Sequence, residues 1–125
     1  MEYSFENLEV WQMSRELVKD IYLVTSRFPQ EEKLGLTNQL RRASISVSSN
    51  IAEESIRWSK IDHTKFYEIA FVRLIEILNQ LILSADLGFL SEEWLKKLKA
   101  KISRLGGLLT ALYHSTQKPI NPSTN

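Results

Sequence analysis

Residues 34–56 read LGLTNQLRRASISVSSNIAEESI, and the spacing of their apolar positions decides the fold. Leu36, Leu40, Ala43, Val47 and Ile51 recur at steps of four and three, which stacks them on one face of a helix turning about 100° per residue. Ile45, Ala52 and Ile56 fall on nearly the opposite side. Gln39, Arg42, Ser46, Asn50 and Glu53 form a third, polar stripe beside the main apolar one, turned from it by about 100°. The stretch from about Leu34 to Ile56 is therefore predicted as a helix apolar on two sides, and such a helix must be covered on two sides.

The flanking sequence repeats the helical period. From about Asn7 to Arg27, Val10, Ser14, Leu17, Val18, Ile21, Thr25 and Phe28 share one face, while Glu9, Glu16, Lys19 and Asp20 share the other. Phe28-Pro29 ends this segment, because the residue before a proline is pushed out of the α region. A third helix is predicted from about Lys60 to Leu87, with Ser59 as its N-cap and Gly88 as its stop. It too is two-sided: Phe66, Ala70, Ile77 and Leu81 face one way, and Phe71, Ile75 and Ile82 lie far round from them. Ser91 caps a fourth, with Glu92 and Glu93 in the first turn, where the helix dipole favours acids. Leu95, Leu98, Ile102, Leu105, Leu109 and Leu112 then form a heptad seam. Gly106-Gly107 interrupts it at a cost of roughly 1 kcal/mol per glycine, and close approach of another helix is one reason to keep them.

Four long helices with short connections predict an all-α, antiparallel up-down four-helix bundle over residues 1–113. Residues 114–125, with Pro119 and Pro122 among Ser, Thr and Asn, are expected to form a flexible C-terminal tail. A monomeric bundle needs one buried stripe per helix, so the surplus apolar faces of helices two and three predict self-association.

Composition agrees and excludes several classes. Of 125 residues, 43% are apolar and 25% charged, which suits a globular chain and not a disordered one. Four Gly and three Pro are few for a many-turned β fold. Without cysteine there is no disulfide framework, thiolate metal site or cysteine nucleophile. The net charge of +1 hides an uneven distribution: residues 1–35 carry seven acids and four bases, whereas residues 91–125 carry two acids and six bases. No run reaches five like charges, so neither a basic arm nor an acidic tail exists. The acidic opening lacks the pattern of a targeting segment, and Phe71–Leu83 is broken by Arg73, Glu76, Asn79 and Gln80. A cytoplasmic protein without membrane partners is expected.

Motifs that carry chemistry are scarce. A di-iron bundle needs Glu-x-x-His twice, but the residues three before His63 and His114 are Lys60 and Ala111. Two isolated histidines make no zinc site, and the glycines cradle no phosphate. Ser44, Ser46, Ser48 and Ser49 have no histidine at a readable spacing. No catalytic residue, metal or cofactor is expected. The polar stripe of helix two and the Arg73, Glu76 and Gln80 stripe of helix three are placed to meet, pairing Arg42 or Arg73 with Glu76 or Glu53. Such a meeting serves either as a ligand or nucleic-acid site, or as a buried network that fixes helix register. The second is the expectation, since such networks are structural more often than catalytic. Arg41, Arg57 and Lys60 are basic candidates around helix two; Lys96, Lys97, Lys99 and Arg104 lie on the outer side of helix four. Trp58 stands between Arg57 and Ser59, where its ring either stacks on a base or plugs the bundle end.

These motifs carry a family resemblance. Gln39-Leu40-Arg41-Arg42-Ala43, then Ser46, Asn50-Ile51-Ala52-Glu53, Arg57 and Ser59 resemble the signature of the four-helix-bundle proteins known as 23S ribosomal RNA intervening-sequence proteins. Phe5-Glu6-Asn7-Leu8-Glu9-Val10-Trp11-Gln12, Phe28-Pro29 with Glu32 and Leu36-Thr37, Ile69-Ala70, Glu76 and Leu87-Gly88 fit as well, so the likeness spans about residues 5–112. The chain departs from the pattern at Glu54, where the family usually has Gly, and at Val72 and Arg73, where it usually has small residues. The resemblance implies a homo-oligomeric ring, commonly a pentamer. A distant similarity to the accessory protein of diversity-generating retroelements implies binding of RNA or of a nucleic-acid-bound protein. On that implication Arg41, Arg57, Trp58 and Lys60 would contact nucleic acid, while Gln39, Arg42, Ser46, Asn50, Glu53, Arg73, Glu76 and Gln80 hold the helices.

Overall fold

The computed structural model describes residues 3–56 and 63–117. They form four α-helices: α1 (Glu9–Thr25), α2 (Leu36–Glu54), α3 (His63–Asp86) and α4 (Glu92–Gln117). Short 3₁₀ turns occupy Ser4–Asn7 and Gln30–Glu32, and no strand occurs among the described residues. α1 packs on α2 and α4, and α3 packs on the same two helices. Ser59, the expected N-cap, and Arg57, Trp58 and Lys60 lie outside the described residues.

The apolar stripes meet in one core. Leu17, Ile21, Leu40, Val47, Ile51, Leu74, Ile77, Leu81, Leu98 and Leu105 are essentially inaccessible to solvent. In α1 the predicted face holds at Val10, Ser14, Leu17, Ile21 and Thr25, but Val24 is buried where Val18 is only half-buried. The second stripes stay uncovered within one chain. Ile45 on α2 and Ile56 just beyond it are exposed, and so are Phe71, Val72, Ile75, Ile82 and Leu83 on α3. Among the described residues no helix is long and apolar enough to cross a membrane.

Helix ends follow local chemistry. The first helix begins two residues later than its periodicity suggests, because the Tyr3 N–H donates to Glu6 Oε2 at 2.7 Å and closes a separate turn. Gln12 Nε2 then ties that turn to α1 by donating to the Glu6 carbonyl at 2.9 Å, and Phe5 sets its ring edge-on to Trp11. α3 ends where predicted. Gly88 takes φ +82, its N–H donates to the Ala85 carbonyl, and the Phe89 N–H reaches back to Ser84. That pair of bonds satisfies carbonyls the helix leaves open, and the positive φ is what requires glycine. Ser91 Oγ accepts from the Trp94 N–H at 3.1 Å, the N-cap bond expected of it. α4 runs on to Gln117, past the predicted boundary after Tyr113, because no breaker intervenes before Pro119. Of the two glycines in α4, Gly106 is buried 3.5 Å, measured from an added Cβ, from Leu74 and Phe71 of α3. Gly107 is exposed, with nothing near it.

Candidate functional site

The polar stripes of α2 and α3 meet, as their spacing predicts, and between them lies a cleft of about 430 Å³. Asn38, Gln39, Arg42, Ala43 and Ser46 line it from α2, and Arg73 and Glu76 from α3. Arg73 Nη1 donates to Glu76 Oε1 at 2.9 Å. Beneath them Gln80 is buried, and its Nε2 donates to Gln39 Oε1 at 3.1 Å and to Glu76 Oε2 at 3.3 Å. Each Glu76 oxygen is thus occupied, one by an arginine and one by an amide. Gln80 Oε1 is buried and has no hydrogen-bond partner.

The remaining residues of the predicted network separate from this centre. Asn50 Nδ2 donates to the Ser46 carbonyl at 2.8 Å and to Ser46 Oγ at 3.2 Å, one turn back on its own helix. Glu53 is exposed and forms no ion pair among the described residues. Arg42 lines the cleft exposed to solvent, and its guanidinium likewise has no hydrogen-bond or ion-pair partner among the described residues. Of the pairings the spacing allowed, Arg73 with Glu76 forms, within α3, and it is joined to α2 through the Gln80 and Gln39 amides. An amide bridge suits a half-buried seam, because it carries little of the desolvation penalty of a charge.

Arg41, one residue away on the helix, is held differently. Its Nε donates to Thr25 Oγ1 at 2.9 Å, a terminal nitrogen reaches the Tyr22 carbonyl at 3.4 Å, and the guanidinium lies 4.5 Å from the centroid of the Tyr22 ring. Thr25 Oγ1 in turn donates to the Ile21 carbonyl at 2.6 Å. Arg41 therefore clamps α2 to the last turns of α1. Arg57, Trp58 and Lys60, named with it as nucleic-acid contacts, lie outside the described residues. On α4, Arg104 and Lys101 pair with Glu9 and Asp20 of α1, whereas Lys96, Lys97 and Lys99 are exposed, with no ion pair among the described residues. Lys97 lies over the Trp94 ring, 5.4 Å from its centroid.

One polar contact was not anticipated. Glu54, the residue standing where the family pattern has glycine, is buried at 4% exposure and accepts a hydrogen bond from the Tyr67 hydroxyl of α3. Tyr67 is also buried, and its hydroxyl is pushed well above the ordinary tyrosine range, first by burial, then by the bond to Glu54 and by that carboxylate's charge. The signal was present in the sequence: Glu54 lies in register with Val47 and Ile51 on the core face, where an acid must find a donor. Among the described residues no group of histidines and acids is arranged to hold a metal ion.

Comparison with known proteins gives a family and a fold. The family described as 23S rRNA-intervening sequence protein matches residues 6–111. A crystal structure of a protein with unknown function from the S23 ribosomal protein family of Bacteroides thetaiotaomicron VPI-5482 is similar with a TM-score of 0.78 at 21% identity. The similarity covers 84% of this chain and 95% of that one, and at this identity it establishes the shared fold. None of the curated proteins matches the chain. With the family match running from Glu6 to Ala111, across all four helices, the chain belongs to the 23S rRNA-intervening sequence protein family.

Proposed function

We propose that this chain is a non-enzymatic, self-assembling helical bundle, up-down and antiparallel, that closes into a ring with copies of itself and serves as a binding scaffold. The carrying observation is the apolar face left open on α3: Val72 is 54% exposed, Ile75 47% and Ile82 36%, with Ile45 of α2 at 43%. Val72, Ile75 and Ile82, with Asn79 between, recur at steps of three and four, the period at which one helix packs along another. The antiparallel reading is supported by the α1–α4 ion pairs, since Glu9 meets Arg104 while Asp20, further along α1, meets the earlier Lys101.

Sedimentation velocity tests the assembly. The chain should sediment as a multiple of 14.5 kDa, five copies for a pentameric ring, and Ile75→Asp should shift it toward monomer while its helical circular dichroism is kept. A wild-type chain that sediments only at 14.5 kDa would refute the proposal.

A second reading, in which the assembly binds RNA or a ribonucleoprotein partner, is favoured by the exposed Lys96, Lys97 and Lys99, which form no ion pair among the described residues and which a ring would repeat around its circumference. RNA affinity should then fall steeply as salt rises and weaken in Lys96→Ala/Lys99→Ala. No binding at low salt, with the oligomer intact, would dismiss this reading and leave the scaffold.

A further inference from the structure

We propose that the cleft between α2 and α3 is a binding site for an oxyanion, a phosphate or carboxylate group, with Arg42 as its principal ligand. The charge balance of the cleft points there. Of its three ionised side chains, Arg73 and Glu76 answer each other at 2.9 Å, and the second Glu76 oxygen is held by Gln80. Arg42 remains, with five N–H donors in a planar fork and no partner among the described residues. Its surroundings in the cleft wall are neutral hydrogen-bonding groups, Asn38, Gln39 and Ser46, which can complete the coordination of an oxyanion without adding charge.

The contrast with Arg41 shows that Arg42 is not needed to fasten the helices. The neighbouring arginine binds a backbone carbonyl, a hydroxyl and a ring face across the α1–α2 seam. Arg42, about 100° further round α2, makes no such contact. Behind the lining, buried Gln80 joins Gln39 to Glu76, and Arg73 is held by Glu76 through one of its terminal nitrogens. The volume, about 430 Å³, lies in the range of small-ligand sites, and the open mouth also admits a phosphate that belongs to a longer chain.

The test reads the cleft residues directly and follows assembly as a separate measurement. Amide chemical shifts of the full chain are followed while inorganic phosphate, acetate and a single-stranded RNA dodecamer are titrated in separate arms at constant ionic strength. Saturable shifts are expected in residues 38–46 and 73–80, with affinity reduced at least tenfold in Arg42→Met and partly retained in Arg42→Lys, which keeps the charge and loses the fork. Because Arg42 is exposed, Arg42→Met should keep the wild-type melting temperature and sedimentation, which are measured alongside. Saturation by phosphate or acetate identifies a free small anion; Arg42-dependent saturation by RNA alone identifies a backbone phosphate. Absence of saturable shifts at the cleft in all three arms, or shifts that survive Arg42→Met unchanged, would overturn the proposal.

Discussion

Replacing Tyr67 by Phe removes one oxygen atom from the α2–α3 interface and should be expensive for its size. The phenol is 6% exposed and the carboxylate it serves, Glu54, is 4% exposed, so bulk water cannot readily substitute for the lost donor. A hydrogen bond to a charged group is worth about 1.5–3 kcal/mol, and losing the phenol donor beside a buried carboxylate falls within that range. With a urea slope of about 1.5 kcal/mol/M for a domain of this size, a loss of about 2 kcal/mol moves the unfolding midpoint down by roughly 1.3 M. Urea titrations followed by circular dichroism at one fixed protein concentration measure it, since assembly would otherwise contribute. Glu54→Gln and the double variant complete the cycle, and their coupling should exceed about 1 kcal/mol. The same contact predicts an alkaline limb. The folded Tyr67 hydroxyl is raised above its ordinary value of 10.0. The folded chain therefore holds that proton more tightly than the unfolded chain. The resulting stability is fully present below pH 10 and declines as pH rises beyond it, because only the unfolded state can readily ionise. Tyr67→Phe should remove this part of the decline. If Tyr67→Phe unfolds within about 0.3 M of wild type and shares its alkaline limb, the hydroxyl contributes nothing to stability.

Three further substitutions test the end of α3, the interior of α4 and the cleft. Gly88→Ala should destabilise by roughly 1–2 kcal/mol, because φ +82 is closed to a residue with Cβ, whereas Gly107→Ala should stabilise by up to about 1 kcal/mol, since its Cβ would point into open space. Paired thermal melts read both, and a fall in oligomer mass for Gly107→Ala would instead place that glycine against a neighbouring copy. Glu76→Lys removes the acceptor of Arg73 and Gln80 and sets an ammonium beside Arg42 in a cleft already lined by two arginines. With its side chain 36% exposed, solvent tempers the loss to about 1–2 kcal/mol, and an unchanged melting temperature would show that the network holds nothing.

What was legible in this sequence is what depends on period. The core faces of α2 and α4 could be read because leucine, isoleucine and valine at steps of three and four have one low-energy arrangement, and burial follows directly. The exposed second stripes were legible for the same reason, and their openness within one chain is what a partner-covered face requires. The polar cleft was readable as a meeting of stripes but not as a bonding pattern. Period places Arg42 and Arg73 near Glu76; it cannot decide which guanidinium takes the carboxylate, because that turns on rotamers and on a glutamine one helical turn away. Arg41 illustrates the limit most sharply. As a sequence it is one of two adjacent arginines, interchangeable by charge. As a structure, about 100° of helical rotation directs it to Tyr22 and Thr25 and leaves Arg42 over the cleft. Neighbouring cations on a helix thus acquire opposite roles from geometry alone, one closing the fold and the other left open to whatever anion the cleft receives.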